Sequence, residues 1–142
     1  MQSAGDSAKI SLTEGDGLHA LVVGGTGPTG HFIVNGLLER GYQVAILHSG
    51  NHEVDEIPSQ VEHIHTNAYD PDCLQQALAG RDFDLCVATY GRLRAVAATL
   101  QGRVERFISA GGGPAYLGYM NPFAFDPAGV PVPIREDAPK VL

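Results

Sequence analysis

The chain has 142 residues, 44% hydrophobic and 18% charged, which is enough for one globular domain with a real core and too few for two. A formal charge of -7, with Lys and Arg scattered singly, leaves no basic stripe for nucleic acid or for an anionic membrane surface. Two cysteines, Cys73 and Cys86, make neither a disulfide framework nor a metal knuckle, and no apolar run suits a membrane span or a secretory signal, so the expected location is cytoplasmic.

Residues 1–17 are polar and aperiodic and read as a disordered arm. From Leu18 onward, short β-branched runs alternate with amphipathic segments, the pattern of βα units in a parallel sheet. A strand is expected over 19–24 and a helix over 28–40, with Phe32, Ile33, Leu37 and Leu38 on its apolar face and Gly41 just past its end. A second strand (43–48) and a third (61–66) bracket a polar loop containing Pro58. Asp70 reads as an N-cap with Pro71 at the first helical position, opening a helix that stops at Gly80. A strand over 84–89, a helix over 92–100 and a strand over 106–110 follow. The expected fold is therefore α/β, a Rossmann-like three-layer αβα sandwich whose parallel sheet has about five strands, with the core spanning 18–113. Six of the nine prolines fall in the last thirty residues, so 114–142 reads as a Pro-rich loop.

The segment VVGGTGPTGHF places Gly24, Gly25, Gly27 and Gly30 where the first strand turns into the first helix. A phosphate approaches a backbone closely only where no Cβ intervenes, and a helix N-terminus then offers N–H groups and the positive end of its dipole. With Thr26, Pro28 and Thr29 between the glycines, this turn predicts a dinucleotide pyrophosphate site; a tight turn with a purely structural role is the alternative. His31 and Phe32 stand where a P-loop needs Lys and Ser or Thr, which excludes that reading.

At the end of the second strand, where an NAD site offers a carboxylate to the ribose, the chain has His48, Ser49 and Gly50, and the first acid is Glu53. His48 and Ser49 are suited to donate to a 2′-phosphate, so the sequence tilts toward NADP over NAD. Among six histidines, His48 and His52 fall in a strand end and loop, and His63 and His65 on one strand face with no carboxylate in phase. No metal site is expected. Asp82 and Asp84 read as a solvated turn, and Arg92 and Arg94 as helix surface.

Together these motifs resemble the extended short-chain dehydrogenase/reductase superfamily, and within it the NAD-dependent epimerase/dehydratase group, over residues 18–139. VVGGTGPTGHF is similar to that family's glycine motif, with Val23 where Thr is usual. NAYDPDCLQQAL, from Asn67, is similar to its adenine-contacting segment, with Asn67 for the usual Asp and Asp70 retained. ATYGR, from Ala88, stands where the family's fourth strand ends against the cofactor. The resemblance implies cofactor contacts from Asn67, Ala68, Thr89, Tyr90 and Gly91.

RFISAGGGPAY resembles the family's catalytic fifth-strand segment and makes Ser109 and Tyr116 the catalytic candidates. With Tyr116 aligned to the family tyrosine, Gly112 takes the hydroxyl position and Ser109 lies three residues earlier. PIREDAP, from Pro133, resembles the stretch placed shortly before the family's catalytic Tyr-x-x-x-Lys, and the chain ends at Leu142. In that pair the lysine lowers the tyrosine's pKa, so that the phenolate takes the proton of a hydroxyl being oxidised.

The expectation is thus the cofactor-binding portion of a fold whose C-terminal part is missing, with an edge strand left open and suited to a homo-oligomer. The implied function is NAD(P)-dependent oxidoreduction, or epimerisation/dehydration, of a hydroxylated small molecule such as a nucleotide sugar. The rival is a non-catalytic NAD(P)-binding or redox-sensing module.

Overall fold

A computed structural model describes residues 17–112 and 115–141, so the expected N-terminal arm, apart from Gly17, lies outside the described residues, as do Gly113 and Pro114. The elements run β1 (His19–Val23), α1 (Gly30–Leu38), β2 (Gln43–His48), β3 (Glu62–His65), α2 (Pro71–Ala77), β4 (Phe83–Ala88), α3 (Leu93–Thr99) and β5 (Val104–Ser109). The strands form one five-stranded sheet in the order β3-β2-β1-β4-β5, and the β1–β2, β1–β4 and β2–β3 pairs are parallel. The expected Rossmann-like fold is what the chain adopts.

Period-two alternation assigns each strand residue to one of two cores. Leu21 and Val23 of β1 join Leu47, Leu74, Leu78, Cys86, Val96 and Leu100 on the side covered by α2 and α3. Ala20 and Val22 join Val34, Leu37, Val44, Ile46 and Ile57 on the side covered by α1. Because β1 is central and covered on both faces, Ala20 through Val23 are all fully buried, which is why it reads as an unbroken apolar run.

Helix α2 begins where its cap dictates: the Asp70 carboxylate accepts from the N–H groups of Asp72 (2.9 Å) and Cys73 (3.2 Å), and Pro71 follows at the first helical position. Helix α1 corrects an expectation. Its buried stripe is Gly30, Val34 and Leu37, whereas Phe32 is 70% exposed. Two residues turn a helix through roughly 200°, so Phe32 stands on the face opposite Val34. Strand β5 also starts earlier than expected, at Val104, because Val104 and Phe107 pack against the core.

Two compact units divide between Ile108 and Ser109. The second carries a helical turn, α4 (Leu117–Met120), and a 3-10 turn at Pro122–Ala124, within the stretch expected as a Pro-rich loop. Its ends are joined by an antiparallel bridge between Tyr116 and Lys140, with Leu117 N–H donating to the Pro139 carbonyl at 2.8 Å. Among the described residues, no helix is long and apolar enough to cross a membrane.

Candidate functional site

The turn from β1 to α1 is built by glycines with separate steric jobs. Gly24 lies at φ +98°, a left-handed conformation, and its N–H donates to the Leu47 carbonyl at 3.0 Å. A Cβ on Gly25 would meet Ile46 Cγ2 at 2.6 Å, and one on Gly30 would collide with the Gly25 carbonyl, so these two glycines let helix, turn and sheet close up. Gly27 is different: a Cβ there would meet only the Gly24 carbonyl oxygen, at 3.5 Å, an ordinary contact. Packing does not require Gly27 to be glycine.

What lies at Gly27 is a cavity of about 320 Å³ at the C-terminal ends of β1, β2 and β4. It is lined by Gly24, Thr26, Gly27, Pro28 and Thr29 from the turn, by His48 and Ser49 after β2, and by Thr89 and Tyr90 after β4. His52, which sequence reasoning passed over, also lines it. The parallel register makes this convergence possible, since Val23 is paired with both Leu47 and Ala88 and all three strands end level. Thr89 locks the rim: its N–H and its hydroxyl both donate to the Val23 carbonyl, at 3.0 and 3.3 Å.

The remaining predicted residues do not line this cavity. Gly25 and Gly30 are buried beneath the turn. Ala68 packs on Gly91, where a Cβ would meet Ala68 Cβ at 2.6 Å and where φ is +85°, and Arg92 N–H donates to the Ala68 carbonyl at 3.0 Å. Asn67 caps its own turn by accepting from Tyr69 N–H at 3.0 Å, and the Tyr69 ring meets Tyr90 edge to face, 5.3 Å between centroids. Ser109 ends β5, exposed, and Tyr116 precedes α4; both belong to the second unit. A larger hollow of about 560 Å³ lies at the opposite, N-terminal ends of the strands, where Arg81 is tied to Glu62 at 2.7 Å.

The end of β2 departs from the picture its sequence suggests. His48 is 3% exposed, its Nδ1 accepts from Gly50 N–H at 3.2 Å, and its Nε2 stands 3.1 Å from His63 Nδ1. Burial pushes its pKa below the usual imidazole value, with His65 and His63 adding to the effect and Glu53 opposing it. A neutral, engaged ring is a poor donor to a phosphate. Glu53, five residues beyond the strand, folds back beside it, 3.7 Å from His48 Nε2, 3.1 Å from His63 Nδ1 and 3.2 Å from His65 Nε2. Nothing in the strand pattern of either segment announces this meeting, because it depends on β2 and β3 pairing in register, His48 opposite His65.

No protein-family model and no curated protein matches the chain. Solved structures do match. An epimerase from Methanothermobacter thermautotrophicus is 19% identical with a TM-score of 0.67, over 92% of this chain and 43% of that one. The enzyme WbmG of Bordetella bronchiseptica, in complex with NAD and UDP, is 16% identical with a TM-score of 0.64, over 87% of this chain and 44% of that one. A short-chain alcohol dehydrogenase described as putative, from Burkholderia multivorans, is 16% identical with a TM-score of 0.58, over 70% of this chain and 64% of that one. The chain spans less than half the length of the first two and under two thirds of the third. Over 70 to 92% of its length, then, this chain has the Rossmann-like fold seen in part of these three proteins.

Proposed function

We propose that this chain is the nicotinamide-dinucleotide-binding portion of a cytoplasmic oxidoreductase or epimerase/dehydratase of the extended short-chain dehydrogenase type. The observation that carries the reading is the cavity at Gly27, where the glycine turn, the start of α1 and the level ends of three parallel strands converge. Ligands of open α/β sheets bind outside the carboxyl ends of the strands, and the start of a helix favours an anion there. Gly27 fits a closely approaching pyrophosphate, since the space a side chain would take is cavity and not core. The favoured substrate class is a hydroxylated small molecule such as a nucleotide sugar, in line with a similar structure that holds NAD and UDP.

When bound, a nicotinamide cofactor supplies a hydride acceptor or donor. The chain's own residues supply position: the glycine turn for the phosphates, Ser49 and His52 on the wall beyond β2, and Thr89 and Tyr90 on the wall beyond β4. Asn67, Ala68 and Gly91 support that second wall through the Ala68–Gly91 contact. Ser109 and Tyr116 stay the candidates for proton handling in this reading. None of the five tyrosines is followed four residues later by lysine, so this reading assigns cofactor binding and no lysine-activated tyrosine.

For the choice of nucleotide we favour NAD. The sequence tilts toward NADP because no acid directly follows β2, but the Glu53 carboxylate beside a neutral His48 repels a 2′-phosphate and suits ribose hydroxyls. Calorimetric titration of chelator-treated protein with NAD and with NADP tests both levels. Binding of NAD several-fold tighter than NADP is the expected result; a folded chain that binds neither overturns the proposal.

A further inference from the structure

The loop after β2 does more than close a connection. His48 of β2 is paired with His65 of β3, and Ile46 with His63, so all three imidazoles issue from the sheet face that α1 covers. The following loop returns to that face because Ile57 is buried in the same core and Asn35 Nδ2 donates to the Glu56 carbonyl at 3.0 Å. That return carries Glu53 to the three rings. Four donor atoms from residues 48, 53, 63 and 65 then lie within 4.8 Å of one another.

We propose that His48, Glu53, His63 and His65 form a binding site for a divalent transition-metal ion of the zinc type. Four ligands at zinc bond lengths occupy the corners of a tetrahedron whose edges are about 3.3 Å. With Glu53 Oε1 as the carboxylate donor, His48 Nε2 stands 3.1 Å from His63 Nδ1, and Oε1 stands 3.2 Å from His65 Nε2 and 3.7 Å from His48 Nε2, close to the edges of such a tetrahedron; the other carboxylate oxygen, Oε2, is 3.1 Å from His63 Nδ1, so side-chain adjustments bring the four ligands around an ion. Three imidazoles and one carboxylate suit zinc, cobalt or nickel and are too rich in nitrogen for calcium or magnesium. The site is reachable, because His65 and Glu53 are each about half exposed while His48 forms its floor. Gly50 packs against the His65 ring, where a Cβ would stand 3.3 Å from Cγ, and so holds that ligand's orientation.

The four members are not equivalent. Gly50 N–H donates to His48 Nδ1, which places the proton of the neutral ring on Nε2, the atom that faces the cluster. Ligation through Nε2 displaces that proton and costs the ring its bond to Gly50. His63, His65 and Glu53 therefore carry most of the affinity, and His48 completes the sphere. The same four side chains also make a satisfied hydrogen-bonded network without an ion, and a direct measurement separates the two.

Metal-stripped full chain, without nucleotide, is titrated with Zn²⁺ against a chromophoric chelator, and with Co²⁺ followed by its visible absorption. One equivalent is expected at micromolar affinity or tighter, with the intense bands of low-coordinate cobalt. The His63→Ala/His65→Ala double variant is expected to weaken binding at least 100-fold and to lose those bands. His19→Ala/His31→Ala, which removes as many imidazoles elsewhere, is expected to bind as the parent does. Should the double variant fail to fold, Glu53→Gln at a half-exposed position is expected to weaken zinc at least tenfold. No stoichiometric binding by the parent, or parent-like affinity in both His63/His65 and Glu53 variants, overturns the proposal. The outcome is independent of the nucleotide reading, which is tested with chelator present.

Discussion

At the residue scale, the four glycines of one motif separate by what surrounds them. Gly25 and Gly30 are required by packing, Gly24 both by its backbone conformation and by Tyr90 Cβ, 2.5 Å from where its own Cβ would stand, and Gly27 by neither. Gly27→Val should leave the melting temperature within a degree or two of the parent and weaken nucleotide binding at least tenfold, about 1.4 kcal/mol. Calorimetry beside a thermal melt checks both halves. The cysteines separate in the same way. Burial alone pushes the Cys86 thiol up to about 12, so it is the thiol and not the nucleophilic thiolate at neutral pH. A disulfide exchange reagent at pH 8 should modify Cys86 only after denaturant is added, while half-buried Cys73 reacts in the folded chain. Peptide mapping of the labelled protein distinguishes them.

At the scale of elements, start signals proved more legible than stop signals. Asp70 and Pro71 announce α2 because a carboxylate N-cap and an N1 proline act through atoms one to three residues away. Asp70→Ala leaves the N–H groups of Asp72 and Cys73 without their acceptor, and should cost about 1 kcal/mol of stability, read as a lower denaturation midpoint with an unchanged slope. The end of the same helix is less local: it stops at Ala77, ahead of Gly80, as Leu78 turns into the core. Phe32 shows the same difference of reach. Its hydrophobicity is a property of the residue, but the face of α1 that is buried follows from which side meets Ile46 and Val44 on the sheet.

At the scale of the whole molecule, one ion pair joins segments far apart in sequence. Glu62 at the start of β3 meets Arg81 in the turn before β4, and the hydrogen bond from Arg81 holds the Glu62 carboxyl below its usual value. A carboxylate whose folded pKa is depressed adds stability above its unfolded pKa, and that stability disappears as pH falls through the folded value. Denaturant midpoints should therefore decline below about pH 4.5, and Glu62→Gln should make that decline shallower. The effect will be small, since both side chains are well exposed to solvent.

Read by itself, the amino-acid sequence determined the fold class and the strand–turn–helix around the glycines, and it singled out Gly24, Thr26, Gly27, Pro28, Thr29, His48, Ser49, Thr89 and Tyr90, which line one cavity. These rest on period-two and period-3.6 patterns, caps and turn residues, all of which act within about ten residues of chain. Tertiary structure decided what happens where β2 meets β3. The separation of Glu53 from His65 along the chain says nothing of a 3.2 Å contact, which exists because two strands pair in parallel register and a buried Ile57 pulls the intervening loop over them. Burial then lowers the pKa of His48, and the Glu53 carboxylate comes to stand beside a neutral ring, which the bare residue types do not suggest. Charge state and proximity are properties of an environment, and that environment exists only once the sheet has formed.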